Sequence, residues 1–118
     1  MAAGKQTHIN GNVWQVEGEA TRVIDGDTFE ARVDLGWRIQ YQITVRLADI
    51  DAPELPSVLG QSAKLFLEQL LPAGTRIIVT SHELDKYGRT VGKVMLRLTG
   101  ADVSARLVAA GLAVFRTF

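Results

Sequence analysis

Residues 28–47, "TFEARVDLGWRIQYQITVRL", decide how the chain folds. Phe29, Ala31 and Val33 alternate with Thr28, Glu30, Arg32 and Asp34. After Gly36, the apolar set Trp37, Ile39, Tyr41, Ile43, Val45 and Leu47 alternates with Arg38, Gln40, Gln42, Thr44 and Arg46. Successive side chains of a strand point to opposite faces, so each run reads as a strand with one buried face, and the glycine between them predicts a hairpin. Working outward, a preceding strand is expected over about residues 13–24.

From residue 57 to residue 71 the period changes. Ala63, Phe66, Leu67, Leu70 and Leu71 fall on one helical face, which Pro72 and Gly74 close. Strand patterns return at residues 76–80 and 91–98 around "HELDKYGR", residues 82–89, whose composition suits an exposed turn. A second helix over residues 101–110 turns Val103, Leu107 and Ala110 inward and ends at Gly111. Strands on either side of an inserted helix predict a mainly β fold, a five-stranded barrel of the OB type with two helices. Periodicity alone leaves a sandwich open. Residues 1–12, with Gly4, Asn10, Gly11 and Asn12, read as a flexible polar lead-in to one domain over residues 13–118.

Composition narrows the chemistry. A chain of 118 residues can bury one core without covalent staples, and it contains no cysteine. A disulfide scaffold, a thiolate zinc site and a cysteine nucleophile are thereby excluded, and the two histidines, His8 and His82, are too isolated for a histidine metal cluster. Any metal must be held by oxygen. Thirteen basic and thirteen acidic residues give zero net charge, so attraction to a polyanion has to be local. The N-terminal twenty residues lack a signal-peptide core and no apolar run has membrane-spanning length. The expected location is cytoplasmic, without membrane association; a secreted mature form that has lost its leader would look the same. A monomer is the default.

Charged residues gather at the strand ends. Asp25 and Asp27 flank Gly26 at the base of the predicted hairpin, and the second strand runs from Arg46 into "DIDAPE", residues 49–54, which brings Asp51 and Glu54 beside them. Carboxylates that converge without a lysine repel one another, and a hard cation relieves this with oxygen ligands at roughly 2.3–2.6 Å. The alternative is a plain turn whose aspartates cap backbone N–H groups. Arg46 and Arg89 favour the first reading, since two guanidiniums beside a cation site suit a phosphate better than an ordinary surface ion pair worth about 0–1 kcal/mol.

"VIDGDTF", "VRLADIDAPE" and "DKYGR", in this order and spacing, resemble the signature segments of the staphylococcal-nuclease-like, or thermonuclease, family. The resemblance spans about residues 13–115 and implies an OB-fold and a Ca²⁺-dependent phosphodiesterase. Its substrates would be single-stranded or locally unpaired DNA and RNA, cut at the P–O5′ bond to leave 3′-phosphates. It further implies Asp27, Asp51 and the backbone carbonyl of Ala52 as metal ligands, with Asp25 supporting the metal's water from behind them. Arg46 and Arg89 would hold phosphate oxygens, Glu54 would activate water, and Tyr87 with Lys86 would contact the nucleotide.

The chain departs from the family pattern in several places. Ala52 stands where the family often has threonine, and "GLAVFRTF", residues 111–118, carries Phe115 and Phe118 where the prototype has tyrosines. Phenylalanine there could stack on a base but cannot donate a hydrogen bond, and both read rather as core or C-terminal packing residues. The prototype continues into another helix beyond this point, so either a cost in stability or an apolar face free for a partner is expected. The long hairpin segment "VDLGWRIQYQ" is similar to that of phage members, and zero net charge contrasts with the basic prototype. The second hypothesis is therefore a non-catalytic OB-fold binding or assembly module, phage-derived in origin, that retains the site residues. Against it, none of the expected charged residues is missing.

Overall fold

The computed structural model describes residues 8–10 and 13–116. Its elements in chain order are β1 (His8–Asn10), β2 (Val13–Asp25), β3 (Thr28–Asp34), β4 (Gln40–Leu47), β5 (Ile50–Asp51), α1 (Val58–Leu70), β6 (Arg76–Leu84), β7 (Thr90–Leu96), α2 (Val103–Ala109) and β8 (Val114–Phe115). The main sheet runs β1-β2-β3-β4-β7-β6, and β2 also pairs with β6, so β2, β3, β4, β7 and β6 close into a five-stranded barrel. Closure leaves no free edge among these strands. All barrel pairings are antiparallel except β4 with β7, which is parallel. The mainly β, OB-type expectation holds.

Long β2 serves two partners because it bends. Register shifts at Ala20/Arg22 and Val23/Asp25 mark the bends, and such bulges sharpen the twist a small barrel needs. At Gly18 the neighbouring strand comes so close that a Cβ would lie 2.5 Å from the Arg32 carbonyl oxygen, so only glycine fits this crossing. The core is the predicted inner face: Phe29, Ala31, Val33, Ile43, Val45 and Leu47 are buried, with Val16, Ile77, Val79 and Val94 from the facing strands. Helix α1 closes one end with Ala63, Leu67 and the adjoining Leu71, and α2 adds Val103 and Leu107. No helix among the described residues is long and apolar enough to cross a membrane.

Several expectations are corrected. The alternating run from Trp37 overshoots its strand: β4 begins at Gln40, because Trp37 and Arg38 adopt left-handed backbone (φ 55° and 64°) in a turn closed by hydrogen bonds between Leu35 and Ile39 and between Ile39 and Gly36. The hairpin tip projects past the barrel where no layer covers it, leaving Trp37 96% exposed and Ile39 and Tyr41 also exposed. Strand β6 continues to Leu84, so the "HELDKYGR" turn shrinks to residues 85–89. Strand β7 ends at Leu96 and Leu98 is exposed. Ala110 is the exposed C-cap of α2 rather than an inward residue. Within the lead-in, His8–Asn10 pairs with Val13–Gln15. Phe115 is exposed and does not pack as expected, while Phe118 and the side chains of His8 and His82 lie outside the described residues.

Candidate active site

Three segments bring the acidic residues together. Asp25 ends β2, and its carboxylate accepts the Asp27 backbone N–H (3.1 Å), which tightens the two-residue turn into β3. Gly26 in that turn is buried: a Cβ there would meet Ala63 Cβ of α1 at 2.6 Å and Ala52 Cβ at 2.9 Å. The β3–β4 register sets Thr28 opposite Arg46, and the Leu47 N–H donates to the Asp27 carbonyl at 2.9 Å. The chain then reverses at Asp49, whose φ of 64° is left-handed, and β5 delivers Asp51. Asp27 Oδ2 accepts the Ala52 N–H (3.0 Å) and Oδ1 accepts the Thr28 hydroxyl (3.1 Å), so the first carboxylate is held against the segment carrying the second.

Arg46 lies between them. Its Nη2 is 2.5 Å from Asp51 Oδ1 and 3.4 Å from Asp27 Oδ2, while Nη1 donates to the Leu47 carbonyl at 2.6 Å. At 17% side-chain exposure its positive charge is fixed rather than solvated. Parallel pairing of Arg46 with Val91 brings β7, and with it Arg89, to the same rim. Arg89 is aimed by Asp85: Nε meets Asp85 Oδ2 at 2.6 Å, and Asp85 Oδ1 accepts the N–H groups of Arg89 (3.0 Å) and Tyr87 (2.9 Å). Burial acts to raise the Asp85 carboxyl, but these donors and the guanidinium outweigh it and hold it below the usual range.

Glu54 is positioned by its backbone. Its carbonyl accepts the Ser57 hydroxyl at 2.6 Å, and the same hydroxyl caps α1 by accepting the Gly60 N–H at 3.0 Å. The Glu54 side chain is exposed and faces a cleft lined by Asp25, Asp27, Arg46, Asp51, Ala52, Pro53, Leu55, Arg89 and Arg116. One cleft thus gathers the seven sequence-predicted catalytic and metal residues. Tyr87 and Lys86 do not line it. They sit on the exposed β6–β7 turn, where the Tyr87 ring lies 5.3 Å from the Arg89 guanidinium carbon and 5.2 Å from Lys86 Nζ.

A family profile described as "Staphylococcal nuclease homologue" matches residues 44–118. The chain belongs to the staphylococcal nuclease homologue family. It is 43% identical over 77 residues to a protein named "Micrococcal nuclease" from Shigella flexneri, a match covering 65% of this chain and 41% of that protein. It is 34% identical over 106 residues to "Protein ParB" from Escherichia coli, covering 84% of this chain and 56% of the other. An "Uncharacterized endonuclease" from Escherichia coli O157:H7 is 34% identical over 98 residues, covering 83% and 60%. The chain spans about half the length of the curated relatives it matches.

The cleft of this staphylococcal nuclease homologue suits a hard cation. Its donors are carboxylate oxygens, and Asp27, with 14% of its side chain exposed, carries a raised carboxyl pKa. Burial is the main cause, and the Asp25 carboxylate adds to it; the Ala52 N–H and Arg46 oppose it without cancelling it. A divalent ion would relieve that cost. Among the described residues no group of three or more His, Asp or Glu side chains forms a ready cage. Two aspartates would therefore leave the rest of a six- to eight-oxygen shell, a number typical of Ca²⁺, to backbone oxygen and water. Two residues escaped the sequence reading. Asp85, four positions before Arg89 at the other end of the same turn, was findable as its partner. Arg116, whose Nε is 2.5 Å from Asp51 Oδ2, was not, because pairing of β5 with β8 makes the contact.

Proposed function

We propose that the chain is a Ca²⁺-dependent nuclease that hydrolyses DNA and RNA at the P–O5′ bond and leaves 3′-phosphate ends. The observation that carries this reading is the convergence of Asp27, Asp51, Arg46, Arg89 and Glu54 on one cleft. Asp27 and Asp51 would hold the ion with the Ala52 carbonyl, and Asp25 would support its water. Bound there, Ca²⁺ supplies positive charge against the phosphate and the charge that builds in the transition state.

The protein's own groups do the rest. Arg46 and Arg89 donate to the phosphate's non-bridging oxygens, Arg46 giving up part of its contact with the aspartates as it does so. Glu54 accepts a proton from a water that attacks phosphorus in line; the new O–P bond forms as P–O5′ breaks, and O5′ leaves with a proton from solvent. Tyr87, held over Arg89, offers an exposed ring to a base, and Lys86 adds charge beside it. Locally unpaired strands suit such a site, since a base must unstack to reach the ring.

The test is cleavage of denatured DNA with Ca²⁺, with EDTA, and by Glu54→Gln. Calcium-dependent digestion to 3′-phosphate ends, lowered about 10²-fold or more in the variant, is expected. Metal binding without cleavage would instead assign the chain as an OB-fold binding module.

A further inference from the structure

We propose that Arg116 is a third guanidinium of the site, which neutralises Asp51 in the cation-free protein and turns to the substrate's phosphate when a divalent cation takes Asp51. This rests on the nuclease reading above and assigns a role to a residue outside the family motifs. Each oxygen of Asp51 has its own guanidinium: Arg46 Nη2 lies 2.5 Å from Oδ1 and Arg116 Nε 2.5 Å from Oδ2. The two arginines are not equivalent. Arg46 is anchored by Leu47 and mostly buried, whereas the Arg116 side chain is 57% exposed and makes no other side-chain hydrogen bond or ion pair among the described residues. Its backbone is fixed independently, since the Arg116 N–H donates to the Asp49 carbonyl at 2.7 Å and β8 pairs with β5. The guanidinium is therefore not needed to tie the strand down, and it can swing without moving the chain.

Charge decides what the swing does. Asp25, Asp27, Asp51 and Glu54 line the cleft with Arg46, Arg89 and Arg116, and Asp85 sits behind Arg89, which leaves two negative charges in excess. A divalent cation neutralises that excess, and without Arg116 the loaded site would keep one negative charge. Arg116 thus opposes cation entry and then spares an incoming phosphodiester the repulsion of that remaining charge. The two effects have opposite signs, which separates them from a structural role.

The test combines Ca²⁺ calorimetry with binding of a fluorescein-labelled pentathymidylate in Ca²⁺, the latter in a Glu54→Gln background that prevents cutting. Arg116→Gln is expected to bind Ca²⁺ about threefold to tenfold more tightly and the oligonucleotide more weakly by a similar factor. Arg116→Lys should stay near wild type in both. Arg116→Met, which keeps an unbranched apolar stem after β8, is measured alongside so that one poorly folded variant does not decide the outcome. Unchanged affinities, or both weakened together, would overturn the proposal and leave Arg116 as a strand tie. If wild type shows no Ca²⁺ binding that Asp51→Asn removes, the nuclease reading itself fails, a result distinct from a failure confined to Arg116.

Discussion

Asp27 shows most directly how the cleft sets stability against function. Its carboxyl is raised because burial, and then Asp25, disfavour the charged form more than the Ala52 N–H and Arg46 favour it. A carboxyl raised by folding stabilises the fold below its unfolded pKa, and that contribution is lost as pH rises through the folded value, so at neutral pH the ionised group costs stability. Asparagine keeps an acceptor for the Ala52 N–H and can donate to the Thr28 hydroxyl. Asp27→Asn is therefore expected to raise the Tm of the metal-free protein by about 3–6 °C, what ~1 kcal/mol yields in a domain of this size. It should also abolish the Tm rise on adding Ca²⁺; thermal melts with and without the ion check both, and an Asp27→Asn protein less stable at pH 7 without metal would refute the account. Gly26 makes the complementary point. Its φ is not left-handed, and what demands glycine is space between Ala63 and Ala52. Gly26→Ala should destabilise by about 1–3 kcal/mol in denaturant melts, because a helix and the site segment must both give way.

At the scale of elements, α1 is tied through its cap to the segment that carries Glu54, the proposed base. Ser57 serves the helix and the Glu54 carbonyl with one hydroxyl, and Gly60 packs so tightly that a Cβ would lie 2.3 Å from the same carbonyl oxygen. Ser57→Ala should cost about 1 kcal/mol and lower kcat in protein that is still fully folded. Asp102→Ala removes the matching cap of α2, where Asp102 accepts the Ala105 N–H, and should lose similar stability with turnover unchanged. Equal loss of turnover in both would place the effect in global stability. These elements were legible in the sequence to unequal degrees. Alternation placed β3 and the inner face of β4 because a buried face constrains every second residue. The same pattern overran at Trp37, where apolar side chains continue but the barrel ends. Asp25, Asp27, Arg46, Asp51, Glu54 and Arg89 were found because each sits at the end of a signalled strand or in a motif. Strands β5 and β8 have two residues each, too few for any period to register, and the Asp51–Arg116 contact was hidden with them.

Over the whole molecule, zero net charge and a five-stranded closed barrel bear on how the proposed nuclease would meet a polymer. Much of the basic charge on the outer surface is already matched: Arg22 pairs with Glu30, Arg32 with Glu19, and Arg97 with Glu17. At the cleft, Arg46, Arg89 and Arg116 line the proposed site, and each would exchange a carboxylate partner for a phosphate. Each phosphate neutralised on a single strand contributes about −0.7 to the slope of log K against log salt, so three such contacts predict a slope of about −2. Affinity for a labelled thymidine 20-mer, measured by anisotropy with Ca²⁺ in the Glu54→Gln background, should then fall about 16-fold between 50 and 200 mM salt. A protein tracking the backbone through six or more contacts would show about −4 or steeper. A slope that steep would place binding on basic residues outside the cleft. A slope near −2 that flattens by about 0.7 in Arg116→Gln would assign one of the three phosphate contacts to Arg116.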